Sequence, residues 1–359
     1  MNNLFEKGQS IDAELRNPER PFEAFSSFVT EQMPRVLNDI RGGKAHVEEL
    51  IHAAEVRIPE FRMSVFSNPK ARDLAGLDAK MLEAAIVHSG GTPKRRLASF
   101  VDELAKVTGM KAAVTYEDLI FINPLKSDPR LFTTGEAGRA ERDFYLGHRL
   151  LEDPLSEAVR KCKDAANILG TKGKQGIVRA GGLLSEAQQL FIPVTTYTNH
   201  IGQNMGKDNF KIFRQYLGGN PQRGIVGPSG KFTAGIPILD FLLGGHPIVA
   251  EYSKLEEEIG YYPREGQKEI QLARAKAQSG QSLVDLSSAL GNPQELFRPL
   301  QTMSNVIREF RGAHMKAVRH QVPEALANNA AGTGGEDDAG SFLRKRLRIH
   351  HVPAIKENK

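Results

Sequence analysis

Tryptophan is absent from this chain of 359 residues, and cysteine occurs once, as Cys162. One thiol forms no intrachain disulfide and no cysteine-clustered zinc or iron–sulfur site, which leaves histidine and carboxylates as the metal ligands to consider. Ten histidines are present. No apolar run comes near the roughly eighteen residues that a membrane-spanning helix needs, so an integral helical membrane enzyme is excluded. The opening residues, MNNLFEKGQS, lack the charged-then-apolar pattern of a secretory signal. The expectation is therefore a soluble, cytoplasmic protein of one large or two moderate domains, with ample chain to bury a core and a pocket.

The single cysteine lies in the charged run Arg160-Lys161-Cys162-Lys163-Asp164, which reads as a solvated helix face rather than as a haem-ligating thiolate. Excess positive charge is equally localised. Residues 341–359 carry six Lys/Arg and one acidic residue, which accounts for the whole formal net charge of +5. The rest of the chain is balanced, so the excess belongs to one segment, Arg344-Lys345-Arg346-Leu347-Arg348. No aromatic platform or nucleic-acid motif accompanies it, and a solvated helix face or a local anion clamp is preferred to a nucleic-acid tail.

Most of the chain has helical periodicity. Apolar residues recur at three- and four-residue spacing through Phe28–Ile58, Ser185–Thr198, Tyr252–Gln278 and Gln301–Gln321. The glycine pairs at 42–43, 90–91, 181–182, 218–219, 244–245 and 334–335 are irregularly spaced and read as helix ends and loops, not as a repeat. One segment breaks the pattern: Ala112–Tyr116 and Leu119–Asn123 are short and β-rich, and turn-prone Pro124 and Ser127-Asp128-Pro129 follow. A seam is placed there, with a smaller N-terminal domain over residues 1–130 and a larger helical domain over 131–359. The Gly-, Asn- and Asp-rich run at 327–338 reads as a loop between two helices.

Four constellations carry possible chemistry. In Val306–Val318, the residues Ile307, Phe310, Arg311, His314 and Val318 fall on one helical stripe, so a histidine stands on an apolar face with an arginine one turn before it. Such a histidine is either a satisfied core residue or a ligand; an apolar wall suits a porphyrin face, and Arg311 suits an anionic propionate. In Gly332-Thr333-Gly334-Gly335 the glycines let backbone N–H groups converge on an anion, although the P-loop spacing is missing and a merely flexible loop is the bland reading. Phe210, Phe213, Arg214 and Leu217 share a third face, pairing rings with a guanidinium that either forks onto a carboxylate or snorkels from a core helix. Phe144, His148 and Leu151 line up one turn apart on a fourth.

Taken together, these segments resemble the indoleamine 2,3-dioxygenase and tryptophan 2,3-dioxygenase superfamily of haem enzymes, in its bacterial branch of the monodechloroaminopyrrolnitrin synthase kind. The resemblance runs over about residues 112–348. Its anchors are Phe310-Arg311-Gly312-Ala313-His314, similar to the helix of the proximal haem ligand, and Gly332-Thr333-Gly334-Gly335 followed by Phe342-Leu343-Arg344, similar to the family's glycine loop and closing helix. The run Pro237–Gly244 resembles the helix whose aspartate meets the arginine before the proximal histidine, which implies an Asp240–Arg311 pair at a propionate. By the same resemblance Arg214 holds the substrate carboxylate beside Phe210, and Phe144 and His148 lie on the distal helix. The family fold is all-α, with haem between helices of the large domain and a smaller N-terminal domain over the pocket.

Departures from the family bear on the reaction. The indoleamine enzymes have serine where His148 stands, phenylalanine where Asn209 stands, a different loop at Gly227–Phe232, and Ser or Thr where Glu336 follows the glycines. A distal histidine donates a hydrogen bond or acts as acid or base, so the polarity of the pocket differs. The resemblance thus implies a haem b oxygenase. His314 is the iron ligand. Arg311, Asp240, Gly332, Gly334 and Gly335 bind the cofactor, while Phe144, Phe210, Arg214 and Thr333 bind the substrate, and His148 is catalytic. Its partners are dioxygen and a small aromatic, indole- or tryptophan-derived molecule. The outcome is ring-cleaving dioxygenation, mono-oxygenation or oxidative rearrangement. A non-catalytic haem sensor or carrier and a cofactor-free helical interaction protein are the competing classes.

Overall fold

The computed structural model describes residues 23–58, 68–323 and 339–349. Its principal helices are α1 (Met33–Arg41), α2 (Val47–Arg57), α3 (Pro69–His88), α4 (Arg95–Thr108), α5 (Gly135–Lys172), α6 (Ile177–Asn204), α7 (Lys207–Arg214), α8 (Gly235–Gly244), α9 (Arg264–Gln278), α10 (Gln294–Gln321) and α11 (Ala339–Leu347). Shorter helical turns connect them, and no strand occurs among the described residues. The protein is all-α.

Local chemistry explains where helices start and stop. Asn68 caps α3, its side chain accepting from the Lys70 amide at 2.9 Å, and Pro69 fills a first-turn position where its missing N–H costs nothing. The helical stretch Phe28–Ile58 divides at Gly42-Gly43, the glycine pair read as a helix end, where Gly43 has φ +68°. Tyr252–Gln278 is broken at Tyr262-Pro263, because a residue before proline avoids the helical region.

Three expectations are corrected. The β-rich segment contains no strand: Asp118–Ile122 is a helical turn of the π type. The Thr115 backbone N–H and hydroxyl both donate to Asp118 Oδ2, at 2.8 and 2.7 Å, and Lys80 Nζ lies 2.5 Å from Asp118 Oδ1. That box fixes a helix start, and Leu119, Ile120 and Ile122 after it are packed into the core while Phe121 is half-buried. Gly181-Gly182 is likewise no helix end; both lie inside α6. Cys162 is not on a solvated face either. It is fully buried, while Lys161 and Lys163 on either side pair with Glu186 and Glu269.

Two compact units divide the described residues. The first comprises those within Met1–Leu146 and Met205–Phe232; the second, those within Gly147–Asn204, Thr233–Gly332 and Glu336–Lys359. In the first, α3 packs along α4. Arg130 is fully buried there, its Nε donating to Asp78 at 2.8 Å and its Nη1 lying 2.9 Å from Asp128.

In the second unit, the most extensive helix pair is α6 against α10. The two run in the same direction, with Gly181 meeting Glu295 at one end and Gly202 meeting Ala317 at the other. Pro299 supplies no N–H to the Glu295 carbonyl, and that oxygen lies 2.1 Å from where a Cβ on residue 181 would stand. At the other end, Gln321 Nε2 donates to the Gly202 carbonyl at 2.8 Å.

These neighbouring glycines predict opposite responses. Gly181→Ala must push α10 away and should cost roughly 1–3 kcal/mol. Gly182→Ala meets nothing within 4 Å and should be neutral or stabilising by up to ~1 kcal/mol through helix propensity. Urea denaturation midpoints of the two variants check the pair; equal midpoints would mean that the helices separate without cost.

Candidate functional site

His314 sits on α10 in the second unit, on a face where Ile307 is fully buried and Arg311 is only 7% exposed. The imidazole retains some accessible surface, yet its surroundings desolvate it and pull its pKa below the usual histidine value. Neither ring nitrogen has a hydrogen-bond partner among the described residues. A neutral imidazole with a free nitrogen lone pair is the form that ligates a metal.

One turn before it, Arg311 Nη2 lies 2.6 Å from both carboxylate oxygens of Asp240. Asp240 is fully buried in α8, whose sequence GIPILDFLLG is otherwise without charge. An isolated carboxylate in such a helix would be strongly disfavoured. Here it is neutralised by Arg311 and also accepts from the Tyr252 hydroxyl. Burial pushes the Tyr252 phenol well above its ordinary pKa, so the group stays a donor. Arg311 Nη1, by contrast, is buried and has no hydrogen-bond partner among the described residues.

His148 lies on α5 in the second unit and is half-buried. The residue before it, Gly147, is packed so that a Cβ there would stand 2.5 Å from Ile201 of α6. The next residue of α6, Gly202, meets Ala317 of α10. Small residues therefore bring both α5 and α10 against the same end of α6, and each of those helices carries one of the two singled-out histidines. Asp240, Arg311, His314 and His148 thus all belong to the second unit.

Phe144, Phe210 and Arg214 belong to the first unit. Phe144 and Phe210 come together, ring centroids 5.5 Å apart, and Phe213 joins both at 5.5 and 5.1 Å. Phe213 is fully buried, whereas Phe144, Phe210 and Arg214 are half-buried. Arg214 ends α7, so Leu217 falls in the following tight turn instead of continuing its face. Beneath this cluster Tyr145 donates to Glu141 at 2.9 Å. Burial raises the Glu141 carboxyl to about 7 although it also accepts from the Phe132 and Thr133 amides. Gly332, Thr333, Gly334 and Gly335 lie outside the described residues.

The polar cluster contains two members that sequence reasoning did not single out as site residues. Tyr252 was read only as the start of a helical stretch, and Arg346 only as part of a basic cluster. In the structure, the Arg346 guanidinium lies 3.8 Å over the Tyr252 ring. Neither contact has a local sequence signature. Cys162 is buried and its thiol is pushed up to about 12, so it is held neutral. Among the described residues no three His, Cys, Asp or Glu side chains gather into a metal-holding group.

Asp240→Asn leaves the Arg311 guanidinium buried without its counter-charge and should destabilise the protein by roughly 3–5 kcal/mol. Tyr252→Phe removes one hydrogen bond to a charged group and should cost about 1.5–3 kcal/mol. Chemical denaturation of both variants reads the difference; an Asp240→Asn variant as stable as the wild type would show that the pair carries no such energy. Compared with known proteins, the chain matches no family model and no curated protein.

Proposed function

We propose that this chain is a haem-dependent oxygenase of the indoleamine and tryptophan dioxygenase kind, acting with dioxygen on an aromatic, indole-derived substrate. The observation that carries the reading is the pairing on α10 of a neutral imidazole with no hydrogen-bond partner, His314, and a guanidinium one turn away whose Nη1 is buried and unpaired, Arg311. A haem of the b type is the ligand whose chemistry matches both: an iron that takes one histidine nitrogen, and carboxylates that take a guanidinium. His314 would ligate, and Arg311, oriented by Asp240, would meet a propionate. Bound haem would supply the iron that activates dioxygen.

The rest of the chemistry falls to the chain's own side chains. Phe144 and Phe210 present ring surface against which an aromatic substrate packs, and the Arg214 guanidinium can fork onto its carboxylate. The His148 imidazole would hold or move a proton at a ring nitrogen, donating to or accepting from a polar group of the substrate. Thr333 and the glycine amides beside it would add polar contacts. No metal-ligating thiol is needed, in keeping with the buried, neutral Cys162.

Titration of the purified protein with haemin tests the reading. The wild type should develop a Soret band and consume oxygen with an aromatic substrate, and His314→Ala should lose both. A His314→Ala variant with retained haem and normal turnover would overturn the assignment. Arg214→Ala should weaken a carboxylate-bearing substrate by about tenfold or more while leaving haem binding intact; unchanged affinity for every such candidate would make Arg214 structural.

A further inference from the structure

The basic segment near the C-terminus is turned in two directions. Arg344 and Arg348 are exposed, and Lys345 lies 3.1 Å from Glu251. Arg346 is directed inward. Its guanidinium stacks over the Tyr252 ring at 3.8 Å and lies 5.2 Å from the Phe342 ring on its own helix. Stacking on an aromatic face occupies the flat side of a guanidinium and leaves its in-plane N–H groups to be bonded elsewhere. Arg346 Nη1 is shielded from solvent and has no such partner.

The nearby anions are already committed. Asp240 is held by Arg311 and by Tyr252, the same tyrosine that carries Arg346. Glu251 Oε2 lies 3.1 Å from Lys345 Nζ, and its charge also acts on Arg346. Asp240 and Glu251 therefore set two negative charges against the three positive ones of Arg311, Arg346 and Lys345, and Arg311 and Arg346 each keep a buried Nη1 without an acceptor among the described residues. Arg311 itself is more than nine-tenths buried. Buried charged N–H groups left unsatisfied are costly, and two in one cluster describe the complement of an oxyanion.

We infer that Arg346 is a second anion-binding guanidinium in this unit: together with Arg311 it forms a site for carboxylate oxygens, and Tyr252 positions both, stacking under one and holding the counter-ion of the other. Where the haem reading holds, the ligand is a dicarboxylate cofactor and the two arginines serve its two carboxylates. The inference rests on that reading for the identity of the ligand and not for the site itself. The shared chemistry is a carboxylate, whether carried by a cofactor or free in solution.

Wild type, Arg346→Met, Arg346→Lys and Tyr252→Phe are compared, with helix content verified by circular dichroism. Haemin and haemin dimethyl ester are titrated by absorbance, and succinate is titrated by thermal melting against sodium chloride of equal ionic strength. A cofactor carboxylate predicts that Arg346→Met binds haemin about tenfold more weakly but binds the ester as the wild type does. A free carboxylate predicts that succinate raises the melting temperature of the wild type and not of Arg346→Met, with haemin unaffected. If Arg346→Met does not fold, Arg346→Lys gives the answer, because an ammonium cannot fork onto a carboxylate and should lose several-fold in whichever arm responds. Variants equal to the wild type in both arms overturn the inference. If His314→Ala binds haemin as the wild type does, the haem reading falls, and a loss in the succinate arm at Arg346 still supports the site.

Discussion

A carboxylate buried in an apolar helix constrains everything around it. Asp240 stands among Leu239, Phe241, Leu242 and Leu243, all buried, where an unpaired charge would be intolerable. Its solution is bought from two other elements, Arg311 on α10 and Tyr252 beyond α8. Such pairs add little net stability compared with a well-packed apolar substitute, but they define which way the participating helices face. With Arg311 turned to Asp240, the rotation of α10 is set, and the orientation of His314 three residues later follows from it. The close α6–α10 contact at Gly181 and Gly202 then holds α10 at a fixed distance from its partner.

Much of this was legible in the sequence. The α6 and α10 helices follow from apolar spacing, and the face shared by Ile307, Arg311 and His314 follows from their positions along α10. The pairing of Asp240 with Arg311 was implied only by family resemblance, because no local pattern relates a position in α8 to one in α10. Other features were hidden for identifiable reasons. Branched and aromatic residues at 112–123 favour strands on average, but Thr115 and Asp118 form a helix-starting box, a short pattern outweighed by the propensity around it. Gly181 and Gly182 read as punctuation because glycine is a poor helix former; at 181 its use is to admit the Glu295 carbonyl, which only a tertiary contact reveals. Tyr252 and Arg346 were invisible as a pair, since stacking between distant positions leaves no periodicity.

The two units differ in the chemistry they offer. Around Phe144, Phe210 and Phe213, the first presents aromatic surface and one terminal guanidinium, Arg214. In the second, a neutral imidazole and an ion pair stand inside apolar helices. Ring surface recognises a planar apolar body without regard to its substituents, whereas buried charge recognises a particular group at a particular place.

The stacking of Arg346 on Tyr252 also bears on the order in which the protein becomes complete. Domains begin to fold as the chain emerges during synthesis. Asp240, Tyr252 and Arg311 can be gathered early, but the last cation of their cluster lies on α11, among the final residues described. Until that helix is made, the aromatic face of Tyr252 lacks its covering guanidinium. The second unit's polar cluster is therefore completed only by α11, and a nascent chain that stops short of it lacks the Arg346 charge at that cluster.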